Sequence, residues 1–174
     1  MTNIKFEDID AKAYEVAIRK LAMQDRTSLE IEKSLKDKGY DKETMDDVII
    51  YLKENGYINH NNYGKRFIRY GLSKKWGPFR IEYKLKEKGL SQDEIDIAHE
   101  EYEDEENIQL ENCYLENARE IAIKIINEQI VDDEYKIPDK VIAKLGRKLS
   151  SLGYDSEMIY KVINEAKLST HCQY

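Results

Sequence analysis

Three histidines, His60, His99 and His171, and two cysteines, Cys113 and Cys172, are the side chains of this 174-residue chain best suited to ligate a metal or act as nucleophiles. His171 and Cys172 are adjacent, but no further soft ligand lies close to them in sequence, whereas a structural zinc site takes four ligands. The chain contains no HExxH helix, no CxxC pair and no glycine-rich phosphate loop with its lysine. Acidic residues are abundant, yet none stands at a spacing that assigns an acid and a base. His60, within YINHNNY, reads as a polar turn residue. His99 falls in register with aliphatic helix positions, which makes it a partly buried histidine of the fold. The expectation is a protein that is not an enzyme, without metal, cofactor or small-molecule substrate.

Binding chemistry is more legible. Residues 63–92 hold nine basic side chains against Glu82 and Glu87: Lys65, Arg66, Arg69, Lys74, Lys75, Arg80, Lys84, Lys86 and Lys88. Such a segment suits phosphates or an acidic protein groove. Tyr70 and Trp76 lie within it as anchors for a contact, and Arg80 is suited to bidentate carboxylate or phosphate pairing. The competing reading is a solvated helix face, with Trp76 filling the gap between helices. The run EEYEDEE at 100–106 then places six acids in seven positions. It would end one helix, bridge to the next and satisfy the adjacent basic surface; mimicry of nucleic-acid charge is the functional alternative. Over the whole chain 28 Lys and Arg oppose 35 Asp and Glu, a net charge of −7, so this is not a uniformly basic nucleic-acid module.

The elements that must position these residues read as helices. Residues 7–23 place Ile9, Ala13, Ala17 and Leu21 on one face, flanked by Tyr14 and Ile18. At 26–40, Thr27 caps a helix and Glu30 completes a capping box. Ile31, Leu35 and Tyr40 supply the apolar side, and Gly39 terminates the helix with φ > 0. A third helix runs from about Lys42 to Asn55 on Met45, Val48, Ile49 and Leu52, and stops at Gly56. No stretch sustains a two-residue alternation, so no strands are expected.

This pattern returns twice. IEKSLKDKGYDKETMDDVI from Ile31, IEYKLKEKGLSQDEIDIAH from Ile81 and LGRKLSSLGYDSEMIYKVI from Leu145 align on Ile31/Ile81/Leu145, Leu35/Leu85/Leu149, Gly39/Gly89/Gly153 and Met45/Ile95/Ile159. In that register His99 matches Ile49 and Ile163. First helices at 7–23, 62–75 and about 107–129 complete three units. The pattern breaks around Val131–Pro138, and Pro138 is placed to start the next helix. The predicted architecture is all-α: about nine helices in tandem three-helix repeats, elongated or curved, with neighbours burying one another's apolar faces. The repeats are assigned to 1–58, 59–106 (the basic one) and 107–174 (the most divergent), with an acidic junction at 100–106. The acidic opening MTNIKFEDID is no secretory signal, and no apolar run approaches the roughly 20 residues of a membrane span. A cytoplasmic protein is expected, and two cysteines suit a reducing compartment.

Three stretches carry a family resemblance: RTSLEIEKSLKDKG at 26–39, GYINHNNYGKRFIR at 56–69 and, most diagnostic, KKWGPFRIEYKLKEKGL at 74–90. In the last, Gly77 permits an unusual turn, Pro78 starts a helix, and Ile81 and Leu85 bury its inner face before Gly89. Together these motifs resemble the RecX family of recombination regulators. The resemblance implies a chain of three-helix modules that binds the RecA recombinase filament in its helical groove. It also implies restraint of the filament's ATP hydrolysis, strand exchange and the co-protease activity that feeds the DNA-damage (SOS) response. The basic side of the middle repeat would face RecA and nearby single-stranded DNA, through Lys65, Arg66, Arg69, Lys74, Lys75, Arg80 and Lys84. The resemblance assigns no catalytic residue.

The chain departs from the family pattern in places. Asn59 and His60 replace an acidic pair, Gly64 stands where alanine is usual, and Lys84 replaces a glutamate. Asn59 can still cap a helix, whereas Gly64 should weaken its helix by about 1 kcal/mol relative to alanine. The rival readings are a direct DNA-binding helical protein and a scaffold for another acidic partner.

Overall fold

The structure, a computed structural model, describes residues 5–129 and 137–169. Nine α-helices and no strand occur among them: α1 (Ala11–Met23), α2 (Ser28–Lys36), α3 (Lys42–Glu54), α4 (His60–Ser73), α5 (Pro78–Glu87), α6 (Gln92–Glu106), α7 (Leu110–Asn127), α8 (Asp139–Ser151) and α9 (Ser156–Ser169). The all-helical, three-by-three order matches the sequence expectation. His171 and Cys172 lie outside the described residues.

Local chemistry sets the helix boundaries. α1 starts at Ala11 rather than near Glu7, because Asp10 accepts from the Ala13 N–H and Phe6–Asp8 forms a separate 3-10 turn. α2 has the anticipated box: Thr27 Oγ1 accepts from the Glu30 N–H and Glu30 Oε2 from the Thr27 N–H, both at 3.3 Å. Asp41 caps α3. Asn59 caps α4 by accepting from the Asn62 N–H at 2.9 Å. Pro138 stands one position before α8 rather than inside it. The three aligned glycines, Gly39, Gly89 and Gly153, have φ of 85°, 87° and 88°, the left-handed conformation that ends a helix.

The chain packs as two compact units: residues up to 66 with 85–98, and residues 67–84 with those from 99 onward. α4, α5 and α6 each contribute to both, so units of packing and repeats of sequence are different divisions of the chain. In the first unit α1 packs on α2 and α3. Its core gathers Ile9, Ala13, Ala17, Ile31, Leu35, Met45, Val48 and Leu52, as the apolar periodicity anticipates, together with Ile58, while Leu21, Tyr40 and Ile49 pack against it partly buried. In the second unit α7, α8 and α9 pack on one another around Leu115, Ala118, Ala122, Val141, Leu145, Leu149 and Val162.

Gly64 has a packing role beside its propensity cost. A Cβ at this position would lie 2.6 Å from Ala98 Cβ, so the missing methyl lets α4 approach α6.

Candidate partner-binding surface

The second unit builds its most distinctive surface around the connection between α4 and α5. α4 is closed by Lys75 N–H to Leu72 O (2.9 Å) and Trp76 N–H to Gly71 O (2.9 Å). Lys75 takes the left-handed conformation (φ 55°) that glycine usually supplies there. Gly77 precedes α5 and offers no side chain to cap it. The α8–α9 turn does so instead: Gly77 N–H donates to Leu152 O (2.8 Å) and Phe79 N–H to Gly153 O (3.1 Å). A Cβ on Gly77 would stand 2.4 Å from the Gly153 carbonyl, which gives the Trp-Gly-Pro motif a structural cause.

Aromatic rings and cations alternate on this surface. Trp76 meets Tyr70 edge to face at 5.5 Å and Phe67 at 6.1 Å. The Arg80 guanidinium lies 4.8 Å from the Trp76 ring, Lys74 Nζ 5.5 Å from Tyr70, and Lys84 Nζ 5.8 Å from Tyr83. Phe79 (60% exposed) and Tyr83 (61%) form an i, i+4 row beside Arg80 and Lys84, away from buried Ile81 and Leu85. Sequence reasoning passed over Phe79 and Tyr83. Their signal was an aromatic i, i+4 pair out of phase with the buried stripe.

The eight residues singled out from sequence are divided between the two units. Lys65 and Arg66 belong to the first unit, where Arg66 pairs with Asp25. In the second, Arg69 pairs with Glu106 and Lys75 with Glu120. Arg80 also donates to Ser151 O at 3.1 Å, so its guanidinium is partly committed to the fold. The acidic run lies in the last turns of α6 and supplies such partners: Glu106 meets Arg69, and Glu103 Oε1 accepts from the Leu110 N–H at 2.6 Å.

His60 is not a turn residue. It opens α4, is 8% exposed, and joins three helices of the first unit. The Ser28 N–H donates to its Nε2 at 3.0 Å, Ser28 Oγ lies 3.1 Å from the same nitrogen, and Nδ1 lies 2.8 Å from Glu94 Oε1. A backbone donor on Nε2 puts the proton on Nδ1, where it donates to Glu94. These spacings are those of a nucleophile, base and carboxylate, but the Nε2 lone pair is engaged by the backbone of Ser28 itself. The group works as a cap on the start of α2. Burial pushes the Glu94 carboxyl up, and the Ser91 N–H with His60 more than reverses this, holding it below the usual carboxylate range. Glu30 behaves alike: burial raises it, while the Lys88 ammonium at 2.6 Å and the Thr27 N–H bring it below its ordinary value.

His99, like Ile49 and Ile163, is half-buried. Burial, then the charge of Glu116, pushes the Cys113 thiol up, opposite to what a reactive thiolate requires. Among the described residues, no three His, Cys, Asp or Glu side chains gather as a metal site, and no helix is long and apolar enough to cross a membrane.

Residues 13–52 match the family model for the RecX first three-helix domain, and 59–98 that for the second. The regulatory protein RecX of Clostridium botulinum (strain Alaska E43) is 33% identical over 162 residues, covering 92% of this chain and 71% of that protein. That of Pseudomonas fluorescens (strain SBW25) is 27% identical over 154 residues, covering 86% and 91%. The crystal structure of RecX from Lactobacillus salivarius superimposes with a TM-score of 0.75 at 24% identity, covering 91% of this chain and 96% of that one. A second RecX crystal structure gives 0.72 at 24% identity, covering 89% and 72%.

Proposed function

This chain belongs to the RecX family of regulatory proteins, and on that footing we propose that it is a non-enzymatic regulator that binds the RecA–single-stranded DNA filament and restrains its ATPase, strand-exchange and co-protease activities. The supporting observation is the α4–α5 surface, where exposed Tyr70, Phe79 and Tyr83 alternate with Lys74, Arg80 and Lys84. Aromatic and arginine side chains of this kind supply most of the energy of protein contacts. The three-helix repeats, assigned to 1–58, 59–106 and 107–174, would add further modest contacts at high effective concentration. The expected compartment is the cytoplasm.

The test is a titration into preformed RecA–single-stranded DNA filaments, following binding and ATP hydrolysis together, with naked DNA and DNA-free RecA in parallel. The double variant Phe79→Ala/Tyr83→Ala, which leaves the α5 core face intact, should bind filaments at least about tenfold more weakly. Unchanged affinity in the folded variant removes this face from the contact.

A second reading has its own support, because aromatics beside cations also form a stacking platform for single-stranded nucleic acid. Lys74, Arg80 and Lys84 are the cations that stand beside these rings. Naked single-stranded DNA should then bind with a log–log salt slope of only about −2, from roughly 0.7 per phosphate. Tighter binding to naked DNA than to filaments would favour this reading.

A further inference from the structure

The turn that presents Trp76 makes few bonds of its own beyond the closure of α4. Much of what fixes it comes from the third repeat. Asn117 Nδ2 of α7 donates to Leu72 O (3.1 Å), and Tyr154 Oη donates to Lys75 O (3.2 Å). Leu152 O and Gly153 O take the first free N–H groups of α5, and Ser151 O takes a guanidinium hydrogen of Arg80 (3.1 Å). Glu120 pairs with the Lys75 ammonium. Between Leu72 and Arg80 six anchors thus arrive from α7 and the α8–α9 turn, all inside the second unit. α2 is built otherwise: Thr27 and Glu30 cap it from within.

We infer that the third repeat is the positioning element of the α4–α5 surface, with Asn117 and Tyr154 as positioning residues that hold the Lys74–Gly77 turn and the start of α5 in one conformation. A helix start without a side-chain cap exposes N–H groups that must find acceptors elsewhere, and the α8–α9 turn is where they find them. An αL lysine carries a conformational cost, so its carbonyl needs an external hold such as the Tyr154 hydroxyl. Two equilibria are therefore linked: seating of the third repeat, and ordering of Trp76, Phe79 and Arg80. A partner that requires the ordered surface must, by reciprocity, hold the third repeat in its seat. This last step rests on the proposed function; the positioning itself does not.

The experiment uses Tyr154→Phe and Asn117→Ala in the full chain, with three readouts. Amide exchange at Gly77 and Phe79 should accelerate by about fivefold, the equivalent of one net hydrogen bond. The emission of Trp76, the single tryptophan, should move to longer wavelength as the ring loses its packing. Filament affinity should fall by a comparable factor, while exchange in α1–α3 stays at the wild-type rate. A merely structural role would loosen α7–α9 without a selective change at Trp76, Gly77 and Phe79, and that result overturns the inference, as do unchanged exchange and emission in both variants. Accelerated exchange with full filament affinity leaves the positioning standing and removes the partner assignment instead. Should Tyr154→Phe unfold the second unit, Asn117→Ala decides alone, because it removes one bond to a half-buried side chain.

Discussion

An alanine methyl at position 77 would stand 2.4 Å from both the carbonyl carbon and oxygen of Gly153, atoms of the main chain that have no rotamer to escape into. Gly77→Ala is therefore expected to destabilise the second unit by about 1–3 kcal/mol, the usual range for forced overpacking, read as a lower urea midpoint at unchanged slope. The sequence announced that Gly77 was special but not why, because its counterpart lies 76 positions away. His60 was opaque for the same reason: Ser28 and Glu94 are 32 and 34 residues distant, and YINHNNY viewed locally is a polar turn. Among the basic residues, Arg69 and Lys75 were legible as cations, but their commitment to Glu106 and Glu120 was not.

Helix starts show how far local sequence reaches. The start of α2 is written within four residues, so Thr27→Ala should cost about 1 kcal/mol, visible as a lower thermal midpoint that a serine replacement largely restores. α5 has no such local inscription, and its cap is borrowed from the distant α8–α9 turn. Helical period, apolar faces and terminal glycines were all readable because each is set by neighbours within one or two turns. Boundaries drifted where two signals competed: Asp10 rather than Glu7 begins α1, since a carboxylate that can accept from the third N–H outranks continued helical spacing. The exposed Phe79 and Tyr83 are hard to read from sequence because the basic charge around them is a stronger local signal than the phase of the aromatics.

Charge acts over the whole molecule in an uneven way: residues 1–92 carry 19 basic and 15 acidic side chains, and 93–174 carry 9 and 20. In the second unit the surplus acids are partly spent on pairing, as in Glu106 with Arg69 and Glu165 with Arg119. In the first unit Glu30 and Glu94 are held below their ordinary value of 4.5. A carboxyl lowered on folding stabilises the fold above its unfolded value and loses that contribution as pH falls through its folded one. The first unit should accordingly lose stability below about pH 4.5, measured by urea unfolding at stepped pH, and Glu30→Gln should flatten that dependence. The meeting of Gly77 with Gly153 finally bears on descent. Neither position can acquire a side chain by a single substitution without displacing main chain across the joint. The α8–α9 turn thereby stays tethered at its glycine to position 77, and a lineage that lost that turn would be released from the constraint at position 77.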